Sequence, residues 1–100
     1  MRITDHGEAV VVRVSDRELE NPCLLEDAFE QLIEQLKHQT LIIDLSAVET
    51  ITSLGIAVLI AAHGLALMHQ TRVVLTCVCD LVRRPLEVVG ADQIITMRES

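Results

Sequence analysis

The chain has 100 residues, half of them apolar, a net charge of −7 and one aromatic side chain, Phe29. That length suits one domain with one modest core, which must be built from Leu, Ile, Val and Ala. An acidic balance without stacking side chains sets aside nucleic acid and anionic membrane surfaces as expected partners.

Arg2 to Asp5 reads as a short β segment, His6-Gly7-Glu8 as a turn, and Ala9 to Val14 as a β-branched strand, together an N-terminal hairpin. No apolar run follows Met1, so no secretory leader is expected. Ser15 to Pro22 is the most polar stretch and reads as a loop. Asn21-Pro22 then opens a helix in which Leu25, Phe29, Leu32, Ile33 and Leu36 recur at helical spacing. Glu26, Asp27, Glu30 and Glu34 fall on its water-facing side, and Lys37 and His38 suit its C-terminal end. The acidic face is a solvated face or a surface for a basic partner.

Leu41-Ile42-Ile43, closed by Asp44, reads as a buried central strand. A short link, Leu45 to Thr50, leads to Ile51-Thr52-Ser53-Leu54-Gly55, and an Ala/Leu-rich helix follows from Leu54 to Gln70. Ile51 to Met68 carries no formal charge, but His63 and Gly64 interrupt it and no basic flank adjoins its start. It reads as a core helix and not as a membrane span. His63 and His69, six apart, do not share a helical face, so no metal pair is expected. Ser53 stands at the helix's first turn, where unpaired N–H groups and a partial positive charge favour an anion. Two roles are open to Thr52 and Ser53: capping the helix, or accepting a phosphate.

Arg72 to Val78 reads as a third strong strand, placing Cys77 and Cys79 on one face as small buried side chains. With Cys23 they make an odd count of cysteines, which suggests no disulfide framework and a reducing cytoplasm. Asp80 is a candidate cap for a helix from Leu81 to Val89, Gly90 ends it in a left-handed conformation, and Ile94 to Met97 is a short last strand or extended tail. Strands alternating with one-sided apolar helices require crossovers and parallel pairing. The expected fold is α/β: a single domain with a four- to five-stranded mixed β-sheet and helices packed on it.

The stretch IIDLSAVETITSLGIAVL resembles the signature of STAS domains, in particular bacterial anti-sigma-factor antagonists. In that family an apolar strand ends in Asp-x-Ser, and after a short link Asp-Ser-[Ser/Thr]-Gly-x-Gly opens a helix. Asp44 and Ser46 match the strand end, Ser53 falls on the family's phosphorylated serine, and Gly55 on its first glycine. Thr52 replaces the acidic residue, Leu54 the second hydroxyl residue, and Ala57 the second glycine. VRRPLEVVGADQIITM is similar to the family's last helix, glycine turn and closing strand. Where the family has Gly-x-Leu-Asp on its partner-facing surface, this chain has Ser15-Asp16-Arg17-Glu18 and keeps only the acidic Glu18.

The resemblance implies a single STAS-like domain over 1–100 that is a binding module and not an enzyme, needing no cofactor and no metal. Its implied partners are a serine-kinase anti-sigma factor, which phosphorylates Ser53 (Thr52 as the fallback acceptor), and a phosphatase that reverses the step. The implied contact surface comprises Glu18, Thr52, Ser53, Leu54, Gly55 and Ile56, on a cytoplasmic monomer or weak dimer without membrane insertion. The alternative the family offers is a constitutive subunit regulating an ABC-transporter ATPase. Neither a hydrolase G-x-S-x-G elbow nor a glycine-rich phosphate loop is present to suggest catalysis.

Overall fold

The computed structural model describes residues 1–36 and 39–98. Strands β1 (Arg2–Asp5) and β2 (Ala9–Ser15) lead into a short helix α1 (Asp16–Leu19) and then α2 (Pro22–Gln35). Next come β3 (Thr40–Ala47), α3 (Ser53–Met68), β4 (Arg72–Thr76), α4 (Asp80–Val88), a 3-10 turn (Ala91–Gln93) and β5 (Thr96–Arg98). The five strands form one sheet in the order β1-β2-β3-β4-β5. β1 and β2 are the expected antiparallel hairpin, and each later pairing is parallel. The mixed, helix-covered sheet expected from the sequence is therefore present, with its strand number at five.

Each parallel crossover steps one strand further in the same direction. Crossovers of one hand that advance in one direction deposit their helices on the same face of the sheet. The packing agrees. Val10, Val12 and Val14, Leu41, Ile43 and Leu45, and Val73 and Leu75 point alternately to a single core. α2 adds Leu25, Phe29 and Ile33, α3 adds Val58, Leu59 and Ala62, and α4 adds Val82 and Leu86. α3 is the most apolar helix because it lies against both α2 and the sheet, as the run Leu54 to Met68 implied. Among the described residues no helix covers the opposite face.

Several boundaries differ from the sequence reading, each for a local reason. The polar stretch after β2 is not all loop: Ser15 and Glu18 form a reciprocal capping box that closes the single turn of α1. β4 stops at Thr76 because Cys77 is left-handed (φ +58°), so Cys77 and Cys79 do not share a strand face. Cys79 instead precedes α4 as its N-cap residue and is exposed, as is Cys23, while Cys77 is half-buried. The expected burial of Cys77 and Cys79 is thus corrected to one half-buried and one exposed thiol. Asp80 is the first residue of α4 and not its cap, whereas Gly90 is left-handed (φ +78°) as expected. The placement expected for Lys37 and His38 lies outside the described residues.

α3 ends at Met68 with its apolar run, two residues before the expected bound at Gln70. The Gln70 N–H donates to the Leu67 carbonyl and the Thr71 N–H to the Ala66 carbonyl, closing a paired C-terminal cap around a left-handed Gln70 (φ +57°). The buried Thr71 hydroxyl then donates to the Gln39 carbonyl, fastening this turn to the start of β3. A glutamine in that conformation carries a Cβ clash that glycine avoids. Gln70→Gly is expected to raise unfolding free energy by about 0.5–1 kcal/mol, the relief of that clash less the added chain entropy. Urea denaturation of the two proteins measures the difference.

Candidate functional site

At the C-terminal ends of β2, β3 and β4, three connections meet: Ser15-Asp16, Val48 to Thr52, and Cys77 to Cys79. Open parallel sheets place their binding crevices at this end. The middle connection is held from both sides. The Glu49 N–H donates to both carboxylate oxygens of Asp16, at 3.0 and 3.3 Å. The Cys79 thiol approaches the carbonyls of Val48 and Glu49 at 3.6 and 3.7 Å. Asp44 closes β3 by accepting the Ser46 N–H at 2.8 Å. Partial burial raises the Asp44 pKa, but the hydrogen bonds from Ser46 and the nearby Arg13 outweigh it and hold the carboxyl below its usual range.

The loop then delivers α3. Thr52 is its N-cap: the backbone is extended and the hydroxyl accepts the Gly55 N–H at 3.2 Å. Ser53 is the first helical residue and is exposed, so capping does not occupy its hydroxyl. Of the two roles the sequence left open, capping belongs to Thr52. Leu54 follows with 63% of its surface exposed, giving the helix start an apolar neighbour. Ser53 and Leu54 are the first two helical positions, whose N–H groups have no partner within the helix.

Gly55 and Ile56 lie beneath this surface and not on it. Ile56 is 7% exposed, and Gly55 is buried under Ile51. A Cβ on Gly55 would stand 2.9 Å from Ile51 Cγ1 and 3.5 Å from Leu19 Cδ2. The glycine thus lets the loop fold back onto its own helix and onto α1.

The Glu18 carboxylate is engaged by the start of its own helix and by the chain's first residue. It accepts the Ser15 N–H (3.1 Å) and hydroxyl (3.0 Å) and pairs with the Met1 amino group at 2.8 Å. Burial raises its pKa, yet the amino group and the two Ser15 bonds lower it further, so the net shift is downward. Glu18 lines a recess with Arg17 and Leu24, whereas Thr52 shares a different one with Asp16, Glu20 and Thr50. Asp16 and Glu20, at either end of α1, are thus the acidic residues that share a recess with Thr52. Sequence reading missed Asp16 and Cys79 as the ties of the loop. The Ser-x-x-Glu spacing at 15–18 marks the capping box that positions Asp16, while nothing in the sequence announces the Cys79 contacts.

The fold and the helix start define a STAS-type domain. A family model described as "Mlab, STAS domain" matches residues 1–98, so the chain belongs to the STAS domain family. Solved structures agree. An anti-sigma factor antagonist from Mycobacterium paratuberculosis is 29% identical with a TM-score of 0.79, over 96% of this chain and 81% of that one. An RsbS variant from Moorella thermoacetica is 22% identical with a TM-score of 0.84, over 99% and 86%. A chain of the stressosome, described as a signal integration and transduction hub, is 23% identical with a TM-score of 0.80, over 96% and 85%. The chain's structural neighbours thus include anti-sigma-factor antagonists. No curated protein matches significantly. Among the described residues, no helix is long and apolar enough to cross a membrane.

Two expectations follow from this geometry. Gly55→Ala should destabilise the protein by about 1 kcal/mol, the crowding against Ile51 exceeding the helix-propensity gain. In an Ile51→Ala background the same change should become stabilising, a reversal that a double-mutant cycle by chemical denaturation reads directly. For Glu18, a folded pKa below the unfolded one means the stabilisation is present above the ordinary carboxylate range and lost as pH falls through the folded value. Glu18→Gln should therefore cost up to about 1 kcal/mol at pH 7. The gap between the two urea midpoints should begin to shrink as pH falls to about 4, the ordinary glutamate range, and close only below the folded value.

Proposed function

We propose that this domain is an anti-sigma-factor antagonist: a cytoplasmic binding module that docks a serine-kinase anti-sigma factor at the start of α3 and is released by phosphorylation of Ser53. The observation that carries this reading is the division between two adjacent hydroxyls. Thr52 caps the helix, and Ser53 is left exposed at its first position beside the exposed Leu54.

A phosphate there adds roughly −1.5 to −2 charges. The unpaired N–H groups and positive end of a 16-residue helix accommodate it without unfolding the domain. A partner packed closely on Leu54 must desolvate that dianion, which weakens the complex. The kinase brings its own ATP and Mg²⁺, and a phosphatase resets the domain, which works as a monomer or weak dimer.

One observation favours the second reading, a constitutive subunit of an ABC-transporter ATPase. Thr52 stands where the resembling family has an acidic residue, and its hydroxyl is committed to the cap. On the kinase reading, Asp16 and Glu20 supply the acidic surroundings instead.

The test is incubation of wild type, Ser53→Ala and Thr52→Ala with the cognate kinase and ATP, read by intact mass and by binding. Wild type should gain one phosphate on Ser53 and lose affinity for the kinase. Ser53→Ala should bind without release, its stability within about 0.5 kcal/mol of wild type. Thr52→Ala should lose about 1 kcal/mol because it removes the cap. A wild type that binds its partner yet takes no phosphate would favour the constitutive subunit.

A further inference from the structure

The face of the sheet opposite the helices has its own chemistry. Register aligns Thr4, Val11, Ile42, Val74 and Thr96 in one row across the five strands. Val11 and Ile42 are half-buried and Val74 is buried, so the apolar surface of this row is offered by Val11 and Ile42. One row towards the C-terminal ends of the parallel strands stand Arg2, Arg13, Asp44, Thr76 and Arg98. On the other side Arg72 aligns with Thr40 and reaches towards β5, donating to the Thr96 hydroxyl at 3.2 Å.

Charge separates the two sides of the molecule. Half of the chain's eight basic residues, Arg2, Arg13, Arg72 and Arg98, lie on this face of a protein with net charge −7. Asp44 is its one acidic residue among those described, and its carboxylate is already engaged by the Ser46 N–H and the Arg13 charge. Beside it a recess of about 290 Å³ opens between Ile42, Val11 and Arg98.

We propose that this face docks an acidic amphipathic helix of a protein partner, its apolar stripe on Val11 and Ile42 and its carboxylates on Arg2, Arg13 and Arg98 along one side and Arg72 along the other. Alternate residues of a strand are roughly 6.7 Å apart, so Arg2, Arg13 and Arg98 on one side and Arg72 on the other flank a helix laid along this row. Five strands span about 19 Å, the length of roughly 13 helical residues. The groove is recessed below its charged rim, which suits a helix and offers nothing to insert into a bilayer. Stacking two such faces in a symmetric dimer would enclose eight arginines with only two Asp44 carboxylates, a repulsive arrangement.

The test titrates an acetylated, amidated helical peptide of about 14 residues, with a leucine stripe flanked by glutamates, into the ¹⁵N-labelled full chain. Amides of Val11, Ile42 and Val74 should shift, while a peptide with lysine in place of glutamate leaves them unmoved. Arg13→Glu combined with Arg98→Glu should weaken binding by about tenfold or more, with far-UV circular dichroism unchanged. If that variant misfolds, Arg13→Gln with Arg98→Gln serves, with a smaller loss expected. No shift on this face, equal binding of the lysine peptide, or affinity indifferent to the arginines overturns the proposal. So does arginine-dependent binding to phosphatidylglycerol vesicles without a peptide response, or self-association through this face in sedimentation.

Discussion

The constraint on which this structure rests is the direction of its crossovers. Every step from β2 to β5 moves one strand along in the same sense, so the helices share a face and the core is one-sided. The same rule brings the connections after β2, β3 and β4 to one end of the sheet. It also leaves the second face to side chains alone. A doubly covered sheet of these strands would need an apolar run at Val11, Arg13, Asp44 and Thr76 alike, and three of those four positions are polar.

The helix start at that end is held by parts that serve different purposes. Asp16 and Cys79 grip the backbone of Val48 and Glu49, Ile51 folds over Gly55, and Thr52 fastens the first turn. Their common result is a rigid frame around an exposed hydroxyl and an exposed leucine. Holding the backbone before a partner arrives reduces the ordering entropy that binding would otherwise cost.

Elements were legible in the sequence where periodicity and burial agree. The β-branched run at Val10 to Val14, the helical spacing from Leu25 to Leu36 and the apolar segment before Asp44 each occupy the element their pattern implies. The helix after Gly55 was legible too, because Ala and Leu crowd a segment too long for a strand. Its last turn reads two residues too long in the sequence, because Gln70 is left-handed and closes a cap where a helical residue was expected. At Cys77 the left-handed backbone overrides a β-branched run that favours a longer strand. For the site, the resemblance located Ser53 and Leu54 on the surface but could not separate them from the buried Gly55 and Ile56. Glu18 matched a family position by its charge alone, and its carboxylate is turned to Ser15 and the chain's amino group.

The two outer strands are short. β1 has four residues and β5 has three, so the rows of unpaired backbone groups at the sheet's margins are brief. Long, flat margins invite a second chain to continue the hydrogen-bond ladder, and brief ones carrying cations do not. Arg2 and Arg98 stand on those margins. A domain rich in valine and isoleucine, in which half of all residues are apolar, is thereby protected against fibrillar growth when many copies are crowded together.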